Sequence, residues 1–397
     1  MRTLFPYFVA ARAVSILGDR VADVVLPLAV LAATGSAVTA GLVGAASQLP
    51  QVLASLHVGA LVDRGERRGL MVFADVLRAV AFVAIGAEVV LGGARLWPLV
   101  VLGLVAGVGD AVFHSAAGSY LPNIVGDRDL MRANGLVEGS DAAATLTGPA
   151  AGGWLLQALG PLVAFLVNAG SFVVSAALLL RLPRNRPAAD EHGEQDASVF
   201  AGLRLVLRDR QQAVLLTGAC YMHLLAAAAF LPLLVRADGE LAFSPATTGL
   251  IVSAAGIGGL ISSLVLARFC DVRRWPLLLA CVLAVNGGAV GLLALLDAPV
   301  ALAAAVLVLD GASALAFIVV ATTRQRITPD RLRGRVISAS TAVTATVRMV
   351  AIGGVGALVD LVGPGPVLVG LAVLAVPFVL VLGVSATSTD RVESELT

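Results

Sequence analysis

Lysine is absent from this 397-residue chain. That excludes the lysine-bearing Walker A loop, and with it ATP hydrolysis of that kind. Charge of either sign is scarce: 13% of residues are charged, against about 25% in a soluble domain. Cysteine is rarer still. Cys220, Cys270 and Cys281 form no CxxC pair, so neither a disulfide framework nor a zinc site is implied. His57, His114, His192 and His223 show no ligand spacing, so no metal, cofactor or catalytic constellation is expected. Aromatics make up 5%, and Trp97, Trp154 and Trp275 fall near the ends of apolar runs, where interface anchoring explains them. The net charge of +1 argues nothing about nucleic acid, because the arginines are topological, and no nucleic-acid partner is expected.

What fills the chain is apolar sequence, 58% of it, in runs of about 20 residues that match a bilayer core at 1.5 Å per residue. The runs are continuous and about twice the length of a barrel strand. They predict an all-α membrane protein with twelve spans: 4–33, 38–62, 70–92, 97–120, 134–158, 162–182, 212–235, 247–267, 276–297, 300–322, 336–359 and 366–386. The first span contains Arg12, Asp19, Arg20 and Asp23, which a cleavable signal peptide would not, so it is expected to be retained.

Arginine placement sets the expected orientation. With the N-terminus inside, the loops 63–69, 121–133, 183–211, 268–275 and 323–335, with Arg181, hold 19 arginines. The opposite loops hold only Arg95 and Arg236. The positive-inside rule therefore places both termini in the cytoplasm; a bacterial-type inner (plasma) membrane is the expected location.

The chain divides at 183–211, a polar, proline-containing stretch. It reads as a cytoplasmic linker, either a plain tether or one with a short surface helix around Val199–Arg210. The expected domains are a six-helix bundle at 1–182, the linker 183–211, a second bundle at 212–386 and a tail at 387–397. The halves are related. A shift of 203 positions lays Asp127-Arg128 on Asp330-Arg331, Gly153 on Gly356 and Gly160-Pro161 on Gly363-Pro364, without a gap. Two pseudo-symmetric repeats of this kind place substrate near the midplane between halves.

Two segments carry a family resemblance. The hairpin Gly59-x-x-x-Asp63-Arg64-x-Glu66-Arg67-Arg68 resembles the loop between helices 2 and 3 of the major facilitator superfamily, with Glu66 where glycine is usual, and Asp75 and Arg78 follow it. In the fifth span, Gly135, Gly148, Pro149, Gly152 and Gly153 resemble the superfamily's antiporter pattern, with Ala144 in place of one glycine. Other segments, such as Thr34-Gly35-Ser36 and Arg132-Ala-Asn134-Gly135, look like the branch of macrolide efflux pumps and siderophore exporters. The resemblance implies a cytoplasmic gate at Gly59, Asp63, Arg64, Arg67, Arg68, Asp75 and Arg78, a close-packed helix at the glycine motif, and a monomer. A purely topogenic hairpin and ordinary small-residue packing are the competing readings. The helix-4 arginine of many drug–proton antiporters is missing; Asp110 and His114 occupy that span.

Ionisable groups at membrane depth cost at least about 2.5 kcal/mol each, which makes them functional candidates. Arg12, Asp19 and Asp23 share one face of the first span, and Asp19 and Asp23 are one turn apart. Two close carboxylates do not both ionise easily, so the pair is the candidate proton carrier, with Arg12 or Arg20 as counter-charge. A fixed Asp–Arg pair that only positions helices is the alternative. Further candidates are the Asp110 and His114 relay, Glu138 and Asp141 on the fifth span, and Asp310 with Arg348 across the second half. His57 and His223 read as packing residues, and Glu88 as a boundary residue.

The expected function is a secondary transporter, not an enzyme. It would export a small amphipathic compound of the drug, antibiotic or siderophore class by proton antiport, its partners being that substrate, protons and lipid. An importer or facilitator of the same fold is the alternative.

Overall fold

The computed structural model describes residues 4–57, 65–125, 127–184, 199–269 and 275–395. The hairpin residues Gly59, Asp63 and Arg64, together with His192 and Cys270, lie outside them.

Helices follow one another with short connections, and each boundary has a local cause. Helix α1 (Phe5–Thr34) ends where Gly35 turns left-handed at φ 64° and its N–H bonds the Leu31 carbonyl. Ser36 then accepts from the Thr39 N–H at 3.2 Å and starts α2 (Ala37–His57). Helix α3 (Arg67–Val90) is capped by Glu66, which accepts from the Gly69 N–H at 3.0 Å. After α4 (Leu96–Val125), one helical stretch runs Asp127–Leu179, broken at Gly160 (φ 77°, ψ 173°) into α5 (127–159) and α6 (161–179). An amphipathic α7 (Val199–Arg208) precedes α8 (Arg210–Val235), which is capped by Asp209 on the Gln212 N–H. A π-helical turn, Arg236–Glu240, leads to α9 (Pro245–Phe269), α10 (Trp275–Leu295), α11 (Pro299–Ile327), α12 (Asp330–Val362) and α13 (Pro364–Glu395).

Leaving α7 aside, these are twelve helices of spanning length. Among the described residues, nine stretches are long and apolar enough to cross a membrane. One of them holds both α5 and α6; α1 falls short of that apolarity because of its charges, and α13 gives a shorter run, Pro364–Leu380. The fold is all-α. Residues 121–125, 127–133 and 330–335, expected as loop, are helical and lengthen α4, α5 and α12. Apolar runs mark only the hydrocarbon-embedded part of a helix, and nothing in these polar turns stops it from continuing into water.

The chain forms two compact units, residues 1–195 with 237–253, and residues 196–236 with 254–397. In the first, α1 packs closely on α5 at the glycine motif: a Cβ on Gly152 would stand 2.7 Å from the Val21 carbonyl oxygen. Gly148 meets the Arg20 backbone in the same way. The first turns of α9 belong to this unit. The Ala150 N–H, next to the bond lost at Pro149, donates to Ser253 Oγ at 2.9 Å. Gly249 lies against the Pro149 carbonyl and Gly153 against that of Pro245.

In the second unit, α9 and α11 cross where Gly258 meets the Leu307 carbonyl and Ser262 Oγ donates to the Gly311 carbonyl at 2.7 Å. Helix α7 is seated by Val206 against Leu216 and Val336, with Gly202 on the Arg335 carbonyl. Arg236 is 6% exposed and donates to the Leu293 carbonyl and to Asp297, tying the end of α8 to the end of α10.

Candidate functional site

Helix α3 presents two opposite stripes. Phe73, Val76, Val80 and Val83 are exposed, as lipid-facing residues should be. Met71, Ala74, Asp75, Arg78, Phe82 and Ile85 are buried, which sends an acid and an arginine one turn apart into the first unit. Arg78 is 1% exposed and Asp75 is fully buried.

Around that guanidinium, four helices converge. Arg78 Nη2 donates to Asp75 Oδ1 on its own helix and to Ser15 Oγ of α1 at 2.8 Å. Arg78 Nη1 donates to Asp19 Oδ2 of α1 at 3.1 Å. On α4, Asp110 Oδ1 is 3.8 Å from the same nitrogen. The Phe113 and Phe172 rings, from α4 and α6, lie 4.6 and 4.3 Å from the guanidinium carbon, within cation–π range. Gly109 makes room: a Cβ there would meet the stem of Arg78.

Asp110 also pairs with His114, whose Nδ1 is 3.1 Å from Asp110 Oδ1 and 3.2 Å from the Asp110 carbonyl oxygen. Both side chains stay more than 40% exposed. Three carboxylates thus share one arginine, and a histidine stands beside the third. A buried arginine so surrounded is well compensated.

A second cluster lies farther along α1. Arg20 Nη2 donates to both oxygens of Asp141 on α5, at 3.0 and 3.3 Å, while Nη1 donates to Asp23 at 3.3 Å. Arg12, half-buried, has Glu138, Asp141 and Asp110 as its charged neighbours. Asp19 and Asp23 therefore have different arginine partners, Arg78 and Arg20. Asp75 and Arg78, expected with the gate, stand at the centre of the first cluster.

Of the described gate residues, Arg67 donates to the Ser119 carbonyl at 2.9 Å and Arg68 to the Leu182 carbonyl at 2.8 Å, which fastens the start of α3 to α4 and to the end of α6. Gly135 has open space where a side chain would be. In the second unit Asp310 faces α9 at Gly259, and Arg348 is exposed. His223 Nδ1 lies 2.8 Å from the Ala219 carbonyl, a packing arrangement, and Glu88 pairs with Arg95 at 2.9 Å. Among the described residues, no three His, Cys, Asp or Glu side chains are grouped to hold a metal ion. The contributions of Ser15, Phe113 and Phe172 were invisible in the sequence, because they depend on the rotation of α1, α4 and α6 about their axes.

Twelve spanning helices with a charged cluster buried among four of them define a polytopic membrane carrier. The chain belongs to the Major Facilitator Superfamily, whose family model matches residues 8–352. It is accordingly a membrane transporter and not an enzyme. It is 28% identical to the multidrug efflux pump Tap of Mycolicibacterium fortuitum, over 81% of this chain and 80% of that protein. It is 27% identical to the uncharacterized MFS-type transporter YfiS of Bacillus subtilis, over 65% of this chain and 62% of that one. Among solved structures, a bacterial homologue of the iron transporter ferroportin superposes with a TM-score of 0.73 at 18% identity, covering 96% of this chain and 99% of that one. The nucleoside transporter NupG superposes at 0.76 with 12% identity, covering 96% of this chain and 98% of that one. At such identities these likenesses establish the fold.

Proposed function

We propose that this transporter exports a small amphipathic compound of the drug, antibiotic or siderophore class in exchange for protons, by alternating access. It would work as a monomer in the inner (plasma) membrane with both termini cytoplasmic. The observation that carries the reading is the Arg78 cluster, in which Asp19, Asp75 and Asp110 surround one guanidinium. Such a site takes up a proton at low electrostatic cost and changes the pairing between helices when it does. Similarity to an efflux pump over four-fifths of both chains favours export.

In this reading Asp19 exchanges a proton at Arg78, and Asp23 does so at Arg20 and Asp141. The hairpin residues and Asp75 with Arg78 govern the cytoplasmic gate, and Gly148, Pro149, Gly152 and Gly153 supply a surface on which α5 can slide or bend. Arginines 67 and 68 already hold α3 to its neighbours. The test has two stages. An efflux-deficient host expressing the chain is screened against antibiotics, dyes and siderophores. The compound with the largest resistance is then followed in proteoliposomes under a pH gradient. Export that rises with the gradient in wild type and is lost in Asp19→Asn with Asp23→Asn supports proton antiport. Gradient-independent uptake would support the importer or facilitator reading instead.

A further inference from the structure

Asp75, Ser15, Phe113 and Phe172 hold the body of the Arg78 guanidinium, but its Nη1 nitrogen faces two carboxylates on different helices. Asp19 of α1 is at 3.1 Å and Asp110 of α4 is at 3.8 Å. The two acids therefore compete for one cation. Beside Asp110 stands His114, its Nδ1 3.1 Å away, a second cation when protonated.

We infer that the Asp110–His114 pair of α4 is a second proton acceptor, coupled to Asp19 through Arg78, so that a proton on one site decides which helix keeps the guanidinium. The inference rests on the proposed proton antiport for its biological use, but not for its geometry.

Two arrangements follow, with equal charge. In one, His114 is an imidazolium that neutralises Asp110, Asp19 is ionised, and Arg78 Nη1 bonds Asp19. In the other, the proton has left the imidazolium nitrogen and sits on a carboxyl oxygen of Asp19. Asp19 then no longer needs Arg78, His114 is neutral, and Nη1 turns to the ionised Asp110. Breaking one N–H bond and forming one O–H bond moves an ion pair from α1 to α4, and no other reactant is needed. Asp75 keeps its bond to Nη2 in both arrangements, so the arginine pivots in place.

The other charges near this exchange are few. From α1, Arg12 and Asp19 act on His114 and Asp23 acts on Asp19; from α3, Asp75 accompanies Arg78; and from α5, Glu138 and Asp141 act on Arg12. Helices α2 and α6 contain no Asp, Glu or Arg. Arg78 is the cation that touches both Asp19 and Asp110, and Arg12 and Arg20 are the further arginines of α1 beside the exchange.

Coupled sites titrate as a pair, so altering one must displace the titration of the other. The full-length chain, labelled with carbon-13 in its histidine rings, is followed by NMR as a function of pH. The His114 signal is identified by its loss in His114→Gln. The wild-type midpoint and that of Asp19→Asn are expected to separate by about one pH unit. Asp19→Glu, which restores a carboxylate, should bring the midpoint back toward wild type, and Glu88→Gln, at the far end of α3, should leave it in place. Monodisperse elution shows that each variant is folded. If Asp19→Glu alone is folded, an Arg78→Lys titration displaced from wild type supports the coupling in its stead.

Superimposable His114 curves in wild type and the folded variants would overturn the inference. That result is separable from failure of the antiport reading. Curves that separate while Asp19→Asn still exports normally under a pH gradient would leave the coupled pair standing and remove proton antiport.

Discussion

The two halves of the chain share a backbone signature and differ in charge. Gly160 and Gly363, related by the shift of 203 positions, both adopt positive φ with extended ψ: 77° and 173° in one, 87° and 162° in the other. Each is followed by a proline that opens the next helix, Pro161 and Pro364. This region of φ/ψ space is almost closed to residues with a side chain. The repeat therefore keeps one conformation at the corner where the longest helix of each half ends.

Charge is distributed otherwise. In the gap-free part of the repeat, Glu138 and Asp141 are matched by Thr341 and Thr344. Helix α1 carries Arg12, Asp19, Arg20 and Asp23, whereas the run 214–235 of α8 has no Asp, Glu or Arg. Among the described residues of the first half, charged side chains of α1, α3, α4 and α5 pair with one another, while in the second half Arg236 pairs with Asp297 where α8 and α10 end.

The sharpest way to break this comparison is Arg78→Met against Arg348→Met. The first strands buried Asp75 without its cation and should destabilise by about 3–5 kcal/mol. The second removes an exposed arginine and should cost no more than about 1 kcal/mol. Melting temperatures of the purified variants check both, and equal losses would show that the second half relies on charge as much as the first. Next in size come Gly160→Ala and Gly363→Ala, each expected to cost about 1–3 kcal/mol because alanine is strained at those angles. Their melting temperatures should fall together; a fall in one alone would break the equivalence of the corners.

A smaller effect distinguishes the two ends of α9. Ser253→Ala removes the acceptor of the Ala150 N–H, and Ser262→Ala the donor to the Gly311 carbonyl. Each should cost about 1 kcal/mol. Hydrogen exchange should rise around Ala150 in the first variant and around Gly311 in the second.

How far the sequence could be read follows from the same contrast. Twelve spans and the repeat are legible because a bilayer demands about 20 apolar residues per crossing and because glycine and proline mark the corners; the short helix before α8 is one of two readings that the linker leaves open. The acids and arginines at membrane depth are legible for the same reason, as exceptions to apolarity. Pairs within one helix, Asp110 with His114 and Arg20 with Asp23, are legible too; pairing between helices is not. Periodicity along α1 groups Asp19 with Asp23; Asp23 pairs with Arg20 of the same helix, but Asp19 is taken by Arg78 of α3. Contacts between helices depend on rotation and crossing angle, which no single helix encodes. Arg78, which follows the charged hairpin in sequence, is turned inward opposite the lipid-facing stripe of α3.

Proton exchange at the Arg78 cluster is tested most directly by substrate-dependent proton flux in proteoliposomes holding wild type or Asp19→Asn, with the compound identified by the resistance screen. Proton movement coupled to export in wild type and abolished in Asp19→Asn, with gradient-independent substrate exchange retained, is the expected result. Undiminished coupled proton flux in Asp19→Asn would contradict it.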